Sequence, residues 1–190
     1  MRTLILTTSL ALMTSPAFAG WALDGDKSTM GFVTIKNGET SEAHSFSGLS
    51  GSVADDGTAE VSIPLASVET FIDIRNERMR EFLFKVADFP AATVSAAIDM
   101  AAYEDLAIGD RTTTEIDVTV ATNGTEADYF GDISVTRISD TMVEVATTRP
   151  FIADARDFDY EDGVAKLREL ASLDSIAPSV PVTFNLIFTK

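Results

Sequence analysis

Apolar residues recur at every second position through most of this chain, and the alternation breaks at a few compact turns. Trp21 to Lys36 is a β-prone run with Met30 and Phe32 two apart. Asn37-Gly38 follows, a pair that tolerates the positive φ of a tight hairpin. The chain returns through Glu42 to Asp55, turns at Asp56-Gly57, and runs out as Ala59 to Leu65, where Val61, Ile63 and Leu65 alternate with Glu60 and Ser62. Period two resumes at Val94, Ala96, Ile98 and Met100. After a loop over 103–109 it continues at Ile116, Val118 and Val120. Asn123-Gly124 marks another hairpin, followed by Ile133 and Val135, a turn near Ser139-Asp140, then Val143 and Val145. The closing stretch places Val182, Phe184, Leu186 and Phe188 on one face of a strand. Two segments have a different period. From Ile72 to Val86, the positions Ile72, Met79, Phe82, Leu83 and Val86 fit one helical face, ended by Phe89-Pro90. Gly163 to Leu173 reads as a second helix with Val164, Leu167, Leu170 and Ala171 on one side.

Long antiparallel strands joined by tight turns leave unpaired sheet edges, and closure into a barrel removes them. The fold expected is mainly β: a closed antiparallel barrel with apolar side chains inside, polar ones outside, and one or two short helices. A barrel of about eight strands either fills its interior with side chains or holds one elongated ligand. The pattern alone leaves both open.

The N-terminus reads differently. Met1-Arg2-Thr3 precedes the apolar run Leu4 to Met13 and an Ala17-Phe18-Ala19 motif. That is a positive start, a short apolar core and a small-residue cleavage site. Residues 1–19 are expected to be a signal peptide cut after Ala19, and residues 20–190 a single domain exported to the periplasm. The apolar run is too short to span a bilayer comfortably. The chain has no cysteine, which removes disulfides, thiolate metal sites and thiol catalysis from consideration. Its net charge is −16, with 30 acidic against 14 basic residues. Such a surface repels phosphate backbones and anionic membrane faces, so nucleic acid is not an expected partner.

Candidate chemistry is sparse. His44 is the single histidine and shares a strand face with Glu42 and Phe46. No second histidine or cysteine completes an ordinary zinc sphere, so a hydrogen-bonding rim or surface position is favoured over a metal ligand or general base. Asp157, Asp159, Glu161 and Asp162 resemble a calcium loop, but Asp162 stands where the loop needs glycine and Arg168 where it needs glutamate. No metal and no cofactor is expected. Arg75 and Arg78, three apart on the first predicted helix, read either as an exposed salt-bridged face or as contacts for an oxygen-rich head group. The 12 phenylalanines suit an ordinary core or an apolar tunnel equally.

The order and spacing of several short patterns resemble the YceI-like family, the lipocalin-like polyisoprenoid-binding proteins of the bacterial periplasm. The match begins with Trp21-Ala22-Leu23-Asp24 and Ser28-x-Met30-x-Phe32. It continues through Phe46-x-x-Leu49-x-Gly51-x-Val53 and Ile63-x-Leu65-x-Ser67-Val68-x-Thr70. Ile74-Arg75-Asn76-Glu77-Arg78-Met79-Arg80, with Leu83-Phe84 and Phe89-Pro90 after it, is its most specific part. Val180-Pro181-Val182-Thr183-Phe184-x-Leu186-x-Phe188 closes it. The resemblance implies an extended, lipocalin-like eight-stranded antiparallel β-barrel with helices covering an opening. It also implies a binding or carrier protein, not an enzyme, that holds a polyisoprenoid such as a quinone or polyprenyl lipid. Combined with the alternation, it places Met30, Phe32, Phe46, Val61, Ile63, Ile98, Val118, Phe184 and Leu186 on a tunnel lining. Met79 and Phe82 would close the mouth, and His44, Arg75 and Arg78 would stand at the polar end. Two alternatives stay open: a filled barrel that serves a membrane redox protein, and a head-group enzyme pairing His44 with a carboxylate. Monomer and homodimer are equally compatible with the sequence.

Overall fold

A computed structural model describes residues 20–190; the expected signal peptide lies outside them. Eleven strand segments form one sheet: β1 (Gly20–Leu23), β2 (Thr29–Lys36), β3 (Thr40–Phe46), β4 (Ser50–Ala54), β5 (Thr58–Pro64), β6 (Ala91–Ala97), β7 (Arg111–Thr122), β8 (Thr125–Ser139), β9 (Met142–Thr147), β10 (Phe151–Asp154) and β11 (Ser179–Thr189). Two short helices interrupt them, α1 (Asp73–Arg78) and α2 (Glu161–Leu170). Pairing is antiparallel throughout and runs β1-β4-β5-β6-β7-β8-β9-β11 before returning to β1 through Ala22 opposite Thr189 and Leu23 opposite Phe188. That ring of eight is a closed barrel. β2 and β3 extend it beyond the ring, with β2 paired to the first half of β11, and β10 pairs with β11 as well.

The hairpins follow the turn chemistry. Asn123 and Gly124 adopt φ of 52° and 78° and close a two-residue turn between Thr122 and Thr125. Asn37 and Gly38 adopt 52° and 77°, with Glu39 as one extra residue before Lys36 meets Thr40. Two runs read as single strands are each broken by a corner. Between β1 and β2 the chain turns at Asp24: its carbonyl accepts from Lys27 N at 3.2 Å and Ser28 Oγ at 2.7 Å, and its carboxylate pairs with Lys27 Nζ at 2.6 Å. Between β3 and β4 the chain bends at Gly48, φ 66°. The two corners touch. A Cβ on Gly25 would stand 2.1 Å from Leu49 O, so only glycine lets them pack. These corners let long strands curl around a narrow barrel without tearing the ladder.

The first helical segment is also less regular than its sequence period suggests. α1 lasts six residues, and residues 79–83 then form one turn of π-helix, with Phe84 N bonded to Met79 O at 2.9 Å. The wider turn shifts the register of everything after Met79. α2 packs across this turn. A Cβ on Gly163 would meet Phe82 O at 2.7 Å and Leu83 Cα at 2.9 Å, so α2 lies directly on the backbone of the π turn. Among the described residues no helix is long and apolar enough to cross a membrane.

Candidate functional site

Inward-facing side chains do not fill the barrel. A cavity of about 970 Å³ runs through it, at the upper end of the range of small-molecule sites. Strand alternation sets its walls. Met30 and Phe32 from β2, Phe46 from β3, Val61 and Ile63 from β5, and Val118 from β7 all line it. So do Ile98, just past β6, and Phe184 and Leu186 from β11. Aromatic rings order one wall: Phe32 stacks on Phe46 with centroids 5.2 Å apart, and Phe46 tilts against Phe84 at 5.8 Å.

Met79 also lines the cavity, and Phe82 does not. The π turn is the cause. It carries Leu83 and Phe84 round to the lumen, and leaves Phe82 half-buried with its carbonyl against α2. The sequence reading also missed Tyr129, Tyr160 and Thr122, polar side chains set among the lining residues. Each is satisfied: Tyr160 Oη and Thr122 Oγ1 lie 2.7 Å apart, and Tyr129 donates to Asp157 at 2.8 Å. Burial pushes the Tyr129 phenol up to about 12. Asp157, once a candidate calcium ligand, is therefore a tyrosine partner here.

His44, Arg75 and Arg78 are brought together at one end of the cavity, where all three line it. His44 is 5% exposed, which corrects its reading as a surface residue. It stands opposite Phe32 in the β2–β3 ladder, and its ring meets the Phe32 ring edge-on at 5.1 Å. Its Nε2 lies 2.9 Å from Thr34 Oγ1, while Nδ1 is buried without a partner. Burial lowers its pKa, and the nearby Arg75 charge lowers it further, against a smaller opposing pull from Glu42. The ring is neutral at neutral pH. Glu42 is held by two cations, Arg75 Nη1 at 2.7 Å and Lys36 Nζ at 3.0 Å. Burial raises its carboxyl, but Lys36 and Arg75 together bring it below the ordinary range. Arg75 also donates to Thr70 O at 2.6 Å and keeps Nε buried and unpaired. Arg78 donates to Leu170 O at 3.2 Å, tying α1 to the end of α2.

A hub beneath this cluster fixes α1. The side chain of Asn76, 3% exposed, accepts from Thr70 N at 2.9 Å and Thr70 Oγ1 at 2.6 Å, and donates to Glu69 Oε1 at 3.1 Å. Glu69 in turn bridges to Ser45 of β3 through two backbone bonds of 3.0 and 2.9 Å. The mouth is thus stapled to the barrel wall.

His44 gives one titration prediction. Its folded pKa lies below the unfolded value near 6.5, so the unfolded chain takes up the proton first as pH falls. Stability attributable to a neutral His44 is complete above the unfolded value and erodes as pH drops through it towards the folded value. Urea unfolding at pH 7 and pH 5 is expected to show a smaller loss for His44→Gln than for the unaltered chain. Equal losses would show that the ring is not forced neutral.

A closed eight-stranded β-barrel with a long apolar lumen and a polar cluster at one mouth defines a lipocalin-like binding fold. The YceI-like domain matches residues 21–188, and the chain belongs to the YceI-like family. A polyisoprenoid binding domain from Saccharophagus degradans, implicated in plant cell wall breakdown, is 36% identical. It superposes with a TM-score of 0.87 over 91% of this chain and 99% of its own. BcnA from Burkholderia cenocepacia shares the fold at 17% identity, with a TM-score of 0.67 over 87% of this chain and 98% of its own. No curated protein matches the chain.

Proposed function

We propose that this protein is a periplasmic carrier that holds one polyisoprenoid lipid, of the quinone or polyprenyl type, along the barrel lumen. The observation that carries this reading is the cavity of about 970 Å³, walled mostly by apolar side chains and lined in one polar cluster by His44, Thr34 and Arg75. The polyisoprenoid binding domain from Saccharophagus degradans, 36% identical over nearly its whole length, supports the same ligand class. An isoprene unit carries five carbons, and moving it from water to an apolar wall contributes about 4 kcal/mol. A protein tunnel competes with a bilayer for such a chain because both offer a dry hydrocarbon surface. The polar end suits an oxygenated head group. Buried His44 Nδ1 and Arg75 Nε lack partners, and a ligand oxygen would supply one. The Thr34–His44 pair offers a donor or an acceptor at Nδ1 according to which partner holds the shared proton, so it suits a quinone carbonyl or a hydroxyl.

Binding, rather than catalysis, is the activity these contacts support. His44 bonds to a threonine hydroxyl, and the nearest carboxylate, Glu42, is engaged by two cations. No carboxylate bonds to the imidazole, as the orienting member of a catalytic triad does. The filled-barrel alternative fits poorly with so large a lumen, although a membrane redox protein remains the natural class of donor or acceptor for quinone cargo. Mass spectrometry of an organic extract from gently purified protein tests the proposal. One prenylated lipid per chain is expected. An extract without stoichiometric lipid, and no uptake of added ubiquinone, would overturn it.

A further inference from the structure

We propose that Phe71, Ile72 and Ile74 form a bilayer-contacting rim through which the lumen exchanges its lipid with a membrane; this rests on the carrier reading above. Among the described residues, three of the seven exposed large apolar side chains fall within positions 71–74: Phe71 at 84%, Ile72 at 45% and Ile74 at 51% exposed. Ile72 and Ile74 also line the cavity, and Phe71 does not. The patch is therefore continuous with the lumen and extends outward from it.

Phe71 is held out by its backbone. Its φ is 61°, a left-handed value rare for a bulky side chain. It is clamped from its N-terminal side. Phe71 N donates to the Glu69 carboxylate, and the preceding Thr70 is 2% exposed and bonded through its N–H and hydroxyl to Asn76. Strain of this kind persists only where the surroundings over-determine it. Here the Asn76 hub does so, and the result is an aromatic side chain projecting into solvent beside an apolar mouth.

The occupant is a lipid surface on two grounds. Hydrocarbon cargo cannot cross water between a membrane and the lumen without losing its apolar contacts, so the mouth that loads it must meet the bilayer. The charge also suits this. Lys36, Arg75 and Arg78 line this end together with Glu42, and Asp73 and Glu69 lie alongside. The rim is close to neutral on a chain of net charge −16, so here anionic head groups meet less repulsion than the chain's overall charge would impose.

Phe71→Asn isolates the rim. Asparagine accepts the left-handed backbone more readily than phenylalanine, so the fold is preserved and its melting midpoint is expected to hold or rise. Two assays then decide. In flotation with cargo-free vesicles of phosphatidylethanolamine and phosphatidylglycerol, the vesicle-bound fraction of Phe71→Asn is expected to fall about tenfold, the scale of one lost buried aromatic side chain. Uptake of ubiquinone-10 from vesicles of the same phospholipids loaded with it should slow in proportion, while uptake from detergent micelles is unaltered. Equal flotation and equal vesicle uptake by both proteins would overturn the rim and leave Phe71 to a protein partner. If neither protein takes up quinone even from micelles, the carrier reading fails instead, and cargo-free flotation still decides whether the rim meets a membrane.

Discussion

Filling the lumen from its own walls is expected to abolish lipid uptake without unfolding the barrel. Val94 of β6 and Val120 of β7 stand directly opposite each other in the ladder, and both line the cavity. Neither is fully buried by neighbouring side chains. In a filled core, enlarging both to phenylalanine would overpack and cost about 1–3 kcal/mol each. In an open lumen the two rings enter free space, and the cost falls below about 1 kcal/mol in all. A lipid that loses room for one isoprene unit forfeits about 4 kcal/mol, or roughly a thousandfold in affinity. Val94→Phe with Val120→Phe should therefore keep its urea midpoint and lose measurable ubiquinone uptake. A variant destabilised by several kcal/mol that still takes up quinone would show that the space is not the binding site.

The second large effect concerns the mouth. Asn76→Ala is expected to destabilise the protein by about 3 kcal/mol, because it leaves the Thr70 N–H buried without an acceptor and its hydroxyl with only the long contact to Ile72 O at 3.4 Å, at about 1–3 kcal/mol for an orphaned group. The loss should concentrate locally. Amide exchange is expected to accelerate over residues 69–76 well before the barrel strands open, since this side chain makes three of the bonds that join residues 69–70 to α1, Arg75 to Thr70 O being another. Asn76→Asp keeps the acceptor and loses the donor to Glu69, placing two carboxylates side by side, and should fall between the alanine variant and the unaltered chain. Unaltered stability and unaltered exchange in Asn76→Ala would mean that the mouth is held by something other than this hub.

Much of the barrel was legible because its signals are local. The Asn-Gly pairs adopt the positive φ that their chemistry favours, and the alternation Val61-x-Ile63 or Phe184-x-Leu186 puts each wall residue inside. The sequence also showed that Glu42, His44 and Phe46 share a face, and that face is the cavity wall. What stayed hidden depends on contacts between distant parts. At the corners at Asp24 and Gly48, Gly25 and Leu49 meet beside the paired strands β1 and β4, a contact no periodicity reveals. β10 spans only four residues after Pro150, too short to show an alternation. The π turn shifts the register after Met79 by one residue, because its backbone bond skips one residue further than an α-helix does, and Leu83 and Phe84 rather than Phe82 line the lumen. The Thr34–His44 bond joins neighbouring strands diagonally. It could have been found by counting back from the Asn37-Gly38 hairpin, had the extra residue Glu39 been anticipated. The lumen itself was not readable, because phenylalanine and valine in a wall look the same in sequence as phenylalanine and valine in a core.

Native mass spectrometry of the purified protein after incubation with ubiquinone-10 tests the open lumen most directly. The unaltered chain is predicted to gain the mass of one lipid, and Val94→Phe with Val120→Phe to gain none. No adduct on the unaltered chain, or equal adducts on both, would contradict the account.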